Sequence, residues 1–335
     1  MKDVADLAII GAGSWGTALA IVLAPRFRQV RLWAYDPGLA DQVRDTRENT
    51  LYLPGFRLGE NVFPTDNLAA ALDGVAIVLI VIPSQFLRKV FHQMLPMLQP
   101  EAALVSATKG LESGTLMRMS QVLFEEATPH FNPRVALLSG PTFAREIANG
   151  DPAAVVISST DADLARTIQA AFSGPTFRLY TNSDPAGVEL GAALKNVIAI
   201  GAGICHGLGL GNNTLAALVT RGLAEISRLA VKLGGQPQTL AGLAGLGDLV
   251  LTCTGELSRN RRVGVELARG RKLPEILGST KMIAEGVETT FAAVELARSC
   301  NVEMPITEQM YDVLKLGKEP RDAIRDLMER SLKAE

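Results

Sequence analysis

Short apolar runs recur through the first half of the chain, at residues 7–10, 30–34, 75–82, 103–107, 135–139, 153–158 and 177–181. Between most of them apolar positions fall at three- and four-residue spacing, in residues 17–23, 85–95, 116–127 and 163–172. Strand-length β-branched runs separated by helices predict βαβ units, and hence a parallel, doubly wound sheet with helices on both faces. Residues 75–82 are apolar throughout, as a central strand covered on both sides should be, and the run is too short to span a bilayer. Residues 49–66, with Pro54, Gly55, Gly59 and Pro64, form a long irregular connection that has room for an extra strand, whose position the pattern does not give.

The texture changes after Asn182-Ser183-Asp184-Pro185, where Asp184 can cap a helix and Pro185 can open it. Helical spacing then dominates residues 186–204, 214–233, 238–243, 262–268, 288–299 and 304–314. The predicted units are residues 1–184, a cofactor-binding sheet domain, and 185–335, a helical substrate domain.

The first run leads into Gly11-Ala12-Gly13-Ser14-Trp15-Gly16 and then good helix formers. In that context Gly11 permits a tight turn, Gly13 lets backbone approach a pyrophosphate, and Gly16 lets the helix sit close to the strand. The N–H groups and dipole of the helix start then receive phosphate. An ordinary βα turn is the plainer alternative; a dinucleotide site is the expectation.

Composition narrows the class. Lys and Arg number 33 against 35 Asp and Glu, so no basic footprint for nucleic acid is present. Cys205, Cys253 and Cys300 are odd in number and far apart, which suits buried reduced thiols in a cytoplasmic protein rather than disulfides or a metal site. Asp3 and Asp6 before the first strand do not resemble a signal peptide. No metal-ligand spacing, nucleophile elbow or P-loop lysine occurs.

In an open α/β sheet ligands bind beyond the carboxyl ends of the strands. Those positions hold Pro83-Ser84, Thr108-Lys109-Gly110 and Ser139-Gly140-Pro141-Thr142-Phe143-Ala144. Lys109 is either a solvated loop lysine or a cation aimed at the cleft. Lys195 and Asn196 interrupt an otherwise apolar helical run from Gly191 to Gly201. A buried lysine must find a carboxylate or release its proton easily, which suits acid/base work near neutral pH. Snorkelling to the surface is the alternative.

Asp248 is the lone charge between Gly242 and Cys253, a stretch that also carries Thr252. It is either a helix cap or the partner of Lys195. Ser258-Arg259-Asn260-Arg261-Arg262 offers guanidinium groups for phosphate or carboxylate, although not all can face one way. Of the histidines, His206 alone falls near the predicted cleft, but three turns beyond Lys195. Lys195 is the preferred base.

At these residues the chain resembles the NAD(P)-dependent glycerol-3-phosphate dehydrogenases of the bacterial type. The matching blocks are Gly11 to Ala18, Ala107 to Glu112, Ser139 to Ala144, Leu194 to Ala199, Gly245 to Leu249, Ser258 to Arg261 and Glu303 to Thr307. The resemblance implies a Rossmann-type domain followed by an all-helical one, a homodimer, and a role in glycerophospholipid precursor synthesis. It implies sn-glycerol 3-phosphate plus NAD(P)+ giving dihydroxyacetone phosphate plus NAD(P)H, with Lys195 as proton acceptor and donor. Lys109, Gly140, Thr142, Asp248, Ser258, Arg259 and Asn260 would meet the substrate, with Asn196 and Thr252 beside them.

Ser14, Trp15, Tyr35, Lys109, Ala144, Arg259, Ile283 and Glu285 would meet the cofactor, along with Gly11, Gly13 and Gly16. Many family members carry Arg or His where this chain has Tyr35. The following Asp36 stands where an acid can hold a ribose hydroxyl, although Asp36-Pro37 can equally be only a turn, so NAD and NADP both remain open. A dehydrogenase of a non-phosphorylated hydroxyacid and a nicotinamide-sensing module are the rival expectations.

Overall fold

A computed structural model describes residues 5–279 and 284–332. One sheet of eight strands organises the first half: β1 (Leu7–Ile10), β2 (Val30–Trp33), β3 (Val62–Thr65), β4 (Ile77–Ile80), β5 (Ala103–Ser106), β6 (Arg134–Ser139), β7 (Ala153–Ser158) and β8 (Phe177–Asn182), in spatial order 3-2-1-4-5-6-7-8. The first six strands are parallel in the doubly wound order 3-2-1-4-5-6, so the order reverses between β1 and β4. β7 runs antiparallel to β6, and β8 pairs parallel with β7. The expected all-parallel sheet is thus parallel-dominated, with a reversed pair at one edge.

The helices of this half are α1 (Ser14–Leu23), α2 (Pro37–Thr46), α3 (Leu68–Leu72), α4 (Ser84–Met94), α5 (Met119–Ala127), α6 (Ala144–Asn149) and α7 (Ala162–Phe172). They cover both faces, giving two separate apolar layers, one with Ile9, Leu32 and Leu79 and the other with Ile10, Ile80 and Phe91. β3 lies inside the irregular connection, as the extra strand whose position the sequence pattern does not give. Pro64 interrupts its pattern, and as an edge strand it tolerates the missing N–H.

The rest is helical: α8 (Pro185–Gly207), α9 (Asn212–Lys232), α10 (Pro237–Leu240), α11 (Asp248–Thr254), α12 (Arg259–Ala268), α13 (Leu273–Gly278), α14 (Glu285–Ser299), α15 (Pro305–Tyr311) and α16 (Pro320–Met328). α8 begins as its sequence predicts, with Pro185 in the first turn and the Asp184 carboxylate accepting from the N–H groups of Gly187 at 2.8 Å and Gln236 at 2.7 Å. By length and mean hydropathy α8 resembles a membrane span, but the apolar window is entirely buried within the protein. Leu190, Leu194 and Ile198 pack on one side, and Val197, Ile200 and Ile204 on the other.

Two contacts fix what surrounds α8. A Cβ on Gly264 would meet the Ile200 carbonyl oxygen at 1.9 Å, and one on Gly203 would meet that of Arg261 at 1.9 Å. The backbones of α8 and α12 therefore touch, and the start of α12 is set against the middle of α8. At the other end Glu189, buried on α8, accepts from Arg118 at 2.6 Å and from the N–H and hydroxyl of Ser120 at 2.7 and 2.6 Å. That carboxylate joins α8 to the start of α5, across the two halves of the chain.

Candidate active site

A cleft of about 760 Å³ opens at the reversal between β1 and β4, walled by both halves of the chain. At its floor Gly11 has φ +123°, and a Cβ there would meet the Val81 carbonyl oxygen at 2.4 Å. A Cβ on Gly16 would lie 1.8 Å from the Gly11 oxygen, so α1 rests directly on the turn. Gly13 faces open space. Among the described residues nothing accepts from the N–H groups of Gly13 and Ser14, and the buried Trp15 indole nitrogen has no partner. Free donors at a helix start, with room for backbone approach, fit a dinucleotide diphosphate.

The helical half meets this turn through charged groups. Lys195 and Asp248 are buried, and Lys109 is largely so. The Lys195 ammonium donates to one Asp248 oxygen and to Thr252 Oγ1, the latter at 2.9 Å. Lys109 donates to the other Asp248 oxygen at 2.8 Å and to the Gly140 carbonyl at 3.3 Å. Thr252 in turn donates to the Asp248 backbone carbonyl at 2.6 Å. One carboxylate thus clamps two ammonium groups, and Lys195 keeps a third N–H for the cleft it lines.

Desolvation is the largest influence on Lys195. The Asp248 charge opposes it and the Lys109 charge adds to it, bringing the ammonium pKa down from 10.5 to about 7. Glu285, half-buried at the cleft edge, is pushed up to about 7 by burial, against the charges of Arg259 and Lys109 and an N–H bond from Ser84. Cys253, buried beneath, is pushed up to about 12 by desolvation and stays a neutral thiol. A group that exchanges its proton near neutrality, held by a fixed carboxylate, is suited to general acid/base chemistry.

Ser258 caps α12, its hydroxyl accepting from the Arg261 N–H at 3.2 Å. Arg259 and Asn260 form the first turn of that helix and line the cleft, while the Asn260 amide oxygen accepts from the Gly286 N–H at 3.0 Å. Among the described residues nothing accepts from the backbone N–H groups of Arg259 and Asn260. A guanidinium beside free helix-start donors is a phosphate-binding arrangement.

Most expected site residues line this one cleft: Gly11, Gly13, Ser14, Trp15, Gly16, Tyr35, Lys109, Thr142, Ala144, Lys195, Asn196, Thr252, Ser258, Arg259, Asn260 and Glu285. Gly140 and Asp248 stand behind the wall and act on Lys109 and Lys195 from there. Ile283 lies outside the described residues. Asp36 lines the cleft, and its carboxylate also accepts from the Gly38 N–H at 2.9 Å, capping α2. His206 is exposed at the far end of α8, away from the cleft.

Sequence reasoning missed the second hold of Asp248, on Lys109, because 139 positions separate them. It also missed Tyr52, Leu53, Pro54, Phe86, Lys89, Arg145 and Leu257 in the wall. The spacing of Phe86, Lys89 and Gln93 marks one face of a helix, but periodicity alone does not tell which face meets a cleft.

A cleft at the reversal of a doubly wound sheet, with a glycine-rich turn at its floor and a buried lysine–aspartate pair in its wall, is the frame of a two-part dehydrogenase of the α/β class. The models for the N-terminus and C-terminus of NAD-dependent glycerol-3-phosphate dehydrogenase match residues 6–165 and 184–325. The chain belongs to that family. It is 59% identical over 326 residues, 97% of each chain, to a protein of Koribacter versatilis named glycerol-3-phosphate dehydrogenase [NAD(P)+]. It is 55% identical over 329 residues, 98% of each, to one of the same name from a Geobacter species. Among solved structures, glycerol-3-phosphate dehydrogenase from Coxiella burnetii superposes with a TM-score of 0.94 at 40% identity, covering 98% of this chain and 99% of that one.

Proposed function

We infer that the chain interconverts sn-glycerol 3-phosphate and dihydroxyacetone phosphate with NAD or NADP as the hydride partner. The observation that carries this is the Asp248 clamp: one buried carboxylate holding Lys195 and Lys109 at the mouth of a dinucleotide cleft, within reach of a helix start suited to phosphate. Glycines 11, 13 and 16, with Ser14, Trp15, Tyr35, Lys109, Ala144, Arg259 and Glu285, hold the cofactor. Bound there, the nicotinamide supplies or accepts the hydride.

The chain's own residues handle everything else. Arg259, with Ser258, Asn260 and the free N–H groups of the first turn of α12, takes the substrate phosphate. In reduction Lys195 delivers a proton to the former carbonyl oxygen; in oxidation the neutral amine removes it. Asp248 and Thr252 aim Nζ, and Lys109 holds positive charge beside the oxygen while Gly140 and Asp248 keep it in place. Asn196 and Thr142 close the pocket around the carbon chain.

Residues up to 184 serve as the cofactor domain and those from 185 as the substrate domain. The working form is a cytoplasmic homodimer that supplies the backbone of glycerophospholipids.

The test is nicotinamide absorbance with dihydroxyacetone phosphate, run once with NADH and once with NADPH. Consumption with at least one cofactor is expected. No turnover there, together with turnover of a non-phosphorylated ketoacid, would replace the assignment with the hydroxyacid rival.

A further inference from the structure

Residues 47–61, which join α2 to β3, send Tyr52, Leu53 and Pro54 into the cleft wall. At their base the Asn49 side chain is wholly enclosed. A buried amide is costly unless its donors and acceptor are all engaged. Here Nδ2 donates to the Ala12 carbonyl at 2.9 Å and to Thr17 Oγ1 at 2.8 Å, while Oδ1 accepts from the Tyr52 N–H at 3.0 Å. The amide orientation is forced, because the Ala12 carbonyl only accepts and the Tyr52 N–H only donates.

Ala12 sits between the first two glycines of the turn. Its carbonyl shares a planar trans peptide with the N–H of Gly13, so the two groups point in opposite directions. Asn49 holds the carbonyl on the enclosed side. The Gly13 N–H is thereby turned the other way, toward the cleft that Gly13 lines, and nothing among the described residues accepts from it.

We propose that Asn49 is a positioning residue for cofactor binding: by pinning the Ala12 carbonyl it presents the Gly13 N–H to the diphosphate of a dinucleotide. Through Tyr52 the same amide ties the connection into the wall beside that diphosphate. This gives the long irregular segment a purpose: it supplies the back support of the phosphate-binding turn. The inference rests on the cleft being the dinucleotide site.

Asn49→Asp tests it, because the aspartate keeps the size and the acceptor for Tyr52 but puts a carboxylate oxygen against the Ala12 carbonyl. Dissociation constants are measured by fluorescence titration for NADH and by calorimetry for ADP-ribose, which shares the diphosphate but lacks the nicotinamide. Both are expected to rise by a similar factor, about 10- to 100-fold, the scale for spoiling a buried hydrogen bond. The kcat at saturating NADH and the KM for dihydroxyacetone phosphate should stay within about threefold, since the aspartate still accepts from Tyr52 and the change falls on the turn, away from the Lys195–Asp248 pair.

Thr17→Val, which removes one acceptor and keeps the side-chain shape, should weaken both ligands by roughly two- to fivefold, and decides the matter if the aspartate variant does not fold. Unchanged ADP-ribose affinity in the folded variants overturns the proposal. So does a fall in kcat together with both KM values rising alike, the mark of general loosening. A wild-type protein that binds neither NADH nor ADP-ribose would instead overturn the dinucleotide assignment itself.

Discussion

At the scale of single residues, the proposed function rests on Lys195 as the proton-handling group and Arg259 as a phosphate anchor. Lys195→Met should leave the NADH dissociation constant, read by fluorescence titration, within about twofold while kcat falls by about 10²–10⁴-fold. Near-wild-type turnover would remove Lys195 from the chemistry. Arg259→Ala should raise the KM for dihydroxyacetone phosphate by about 10- to 100-fold, the range for losing a charge-assisted hydrogen bond, and steady-state kinetics would show it. Lys195 was legible in the sequence because a lone ammonium on an apolar helix has few inexpensive explanations. Its partner Asp248 was legible for the same reason. That the same carboxylate also holds Lys109 was not, since nothing local connects a β5 loop to the start of α11.

At the scale of elements, the site depends on α8 being held at two places, by Glu189 near its start and by α12 further along. Gly264→Ala would drive a methyl group into the Ile200 carbonyl and push α12 away, carrying Ser258, Arg259 and Asn260 with it. A stability loss of about 1–3 kcal/mol by urea denaturation, with a raised KM for the phosphorylated substrate, is expected. Glu189→Ala would strand Arg118 and the Ser120 N–H where the carboxylate now joins the halves, costing about 3 kcal/mol by the same measurement.

Seven strands followed the apolar runs: inner strands such as β1 and β4, buried on both faces, are written as continuous hydrophobic sequence, while the edge strand β8 alternates buried and exposed positions. β3 escaped, being an edge strand containing a proline. α2 escaped too: Asp36-Pro37 reads as a ribose-holding acid or a turn, and the structure makes it the cap and first residue of a helix. Strand direction left no local mark either: the reversal at β7 depends on how β6, α6 and β7 connect in space.

At the scale of the molecule, both halves of the chain combine to set one proton affinity. The helical half removes water from Lys195 and supplies Asp248, while the sheet half brings the Lys109 charge alongside. Burial outweighs the carboxylate, so the ammonium gives up its proton near pH 7 rather than 10.5. Reduction needs the protonated form, so its rate should be full below that pKa and decline as pH rises through it. Oxidation needs the neutral amine and should decline as pH falls through the same value. The most direct test is kcat/KM for dihydroxyacetone phosphate at saturating reduced cofactor between pH 6.5 and 9, paired with glycerol 3-phosphate oxidation over the same range. Two opposed limbs crossing near pH 7 are predicted. Profiles that stay flat across this range in both directions would contradict a buried lysine as the acid and base.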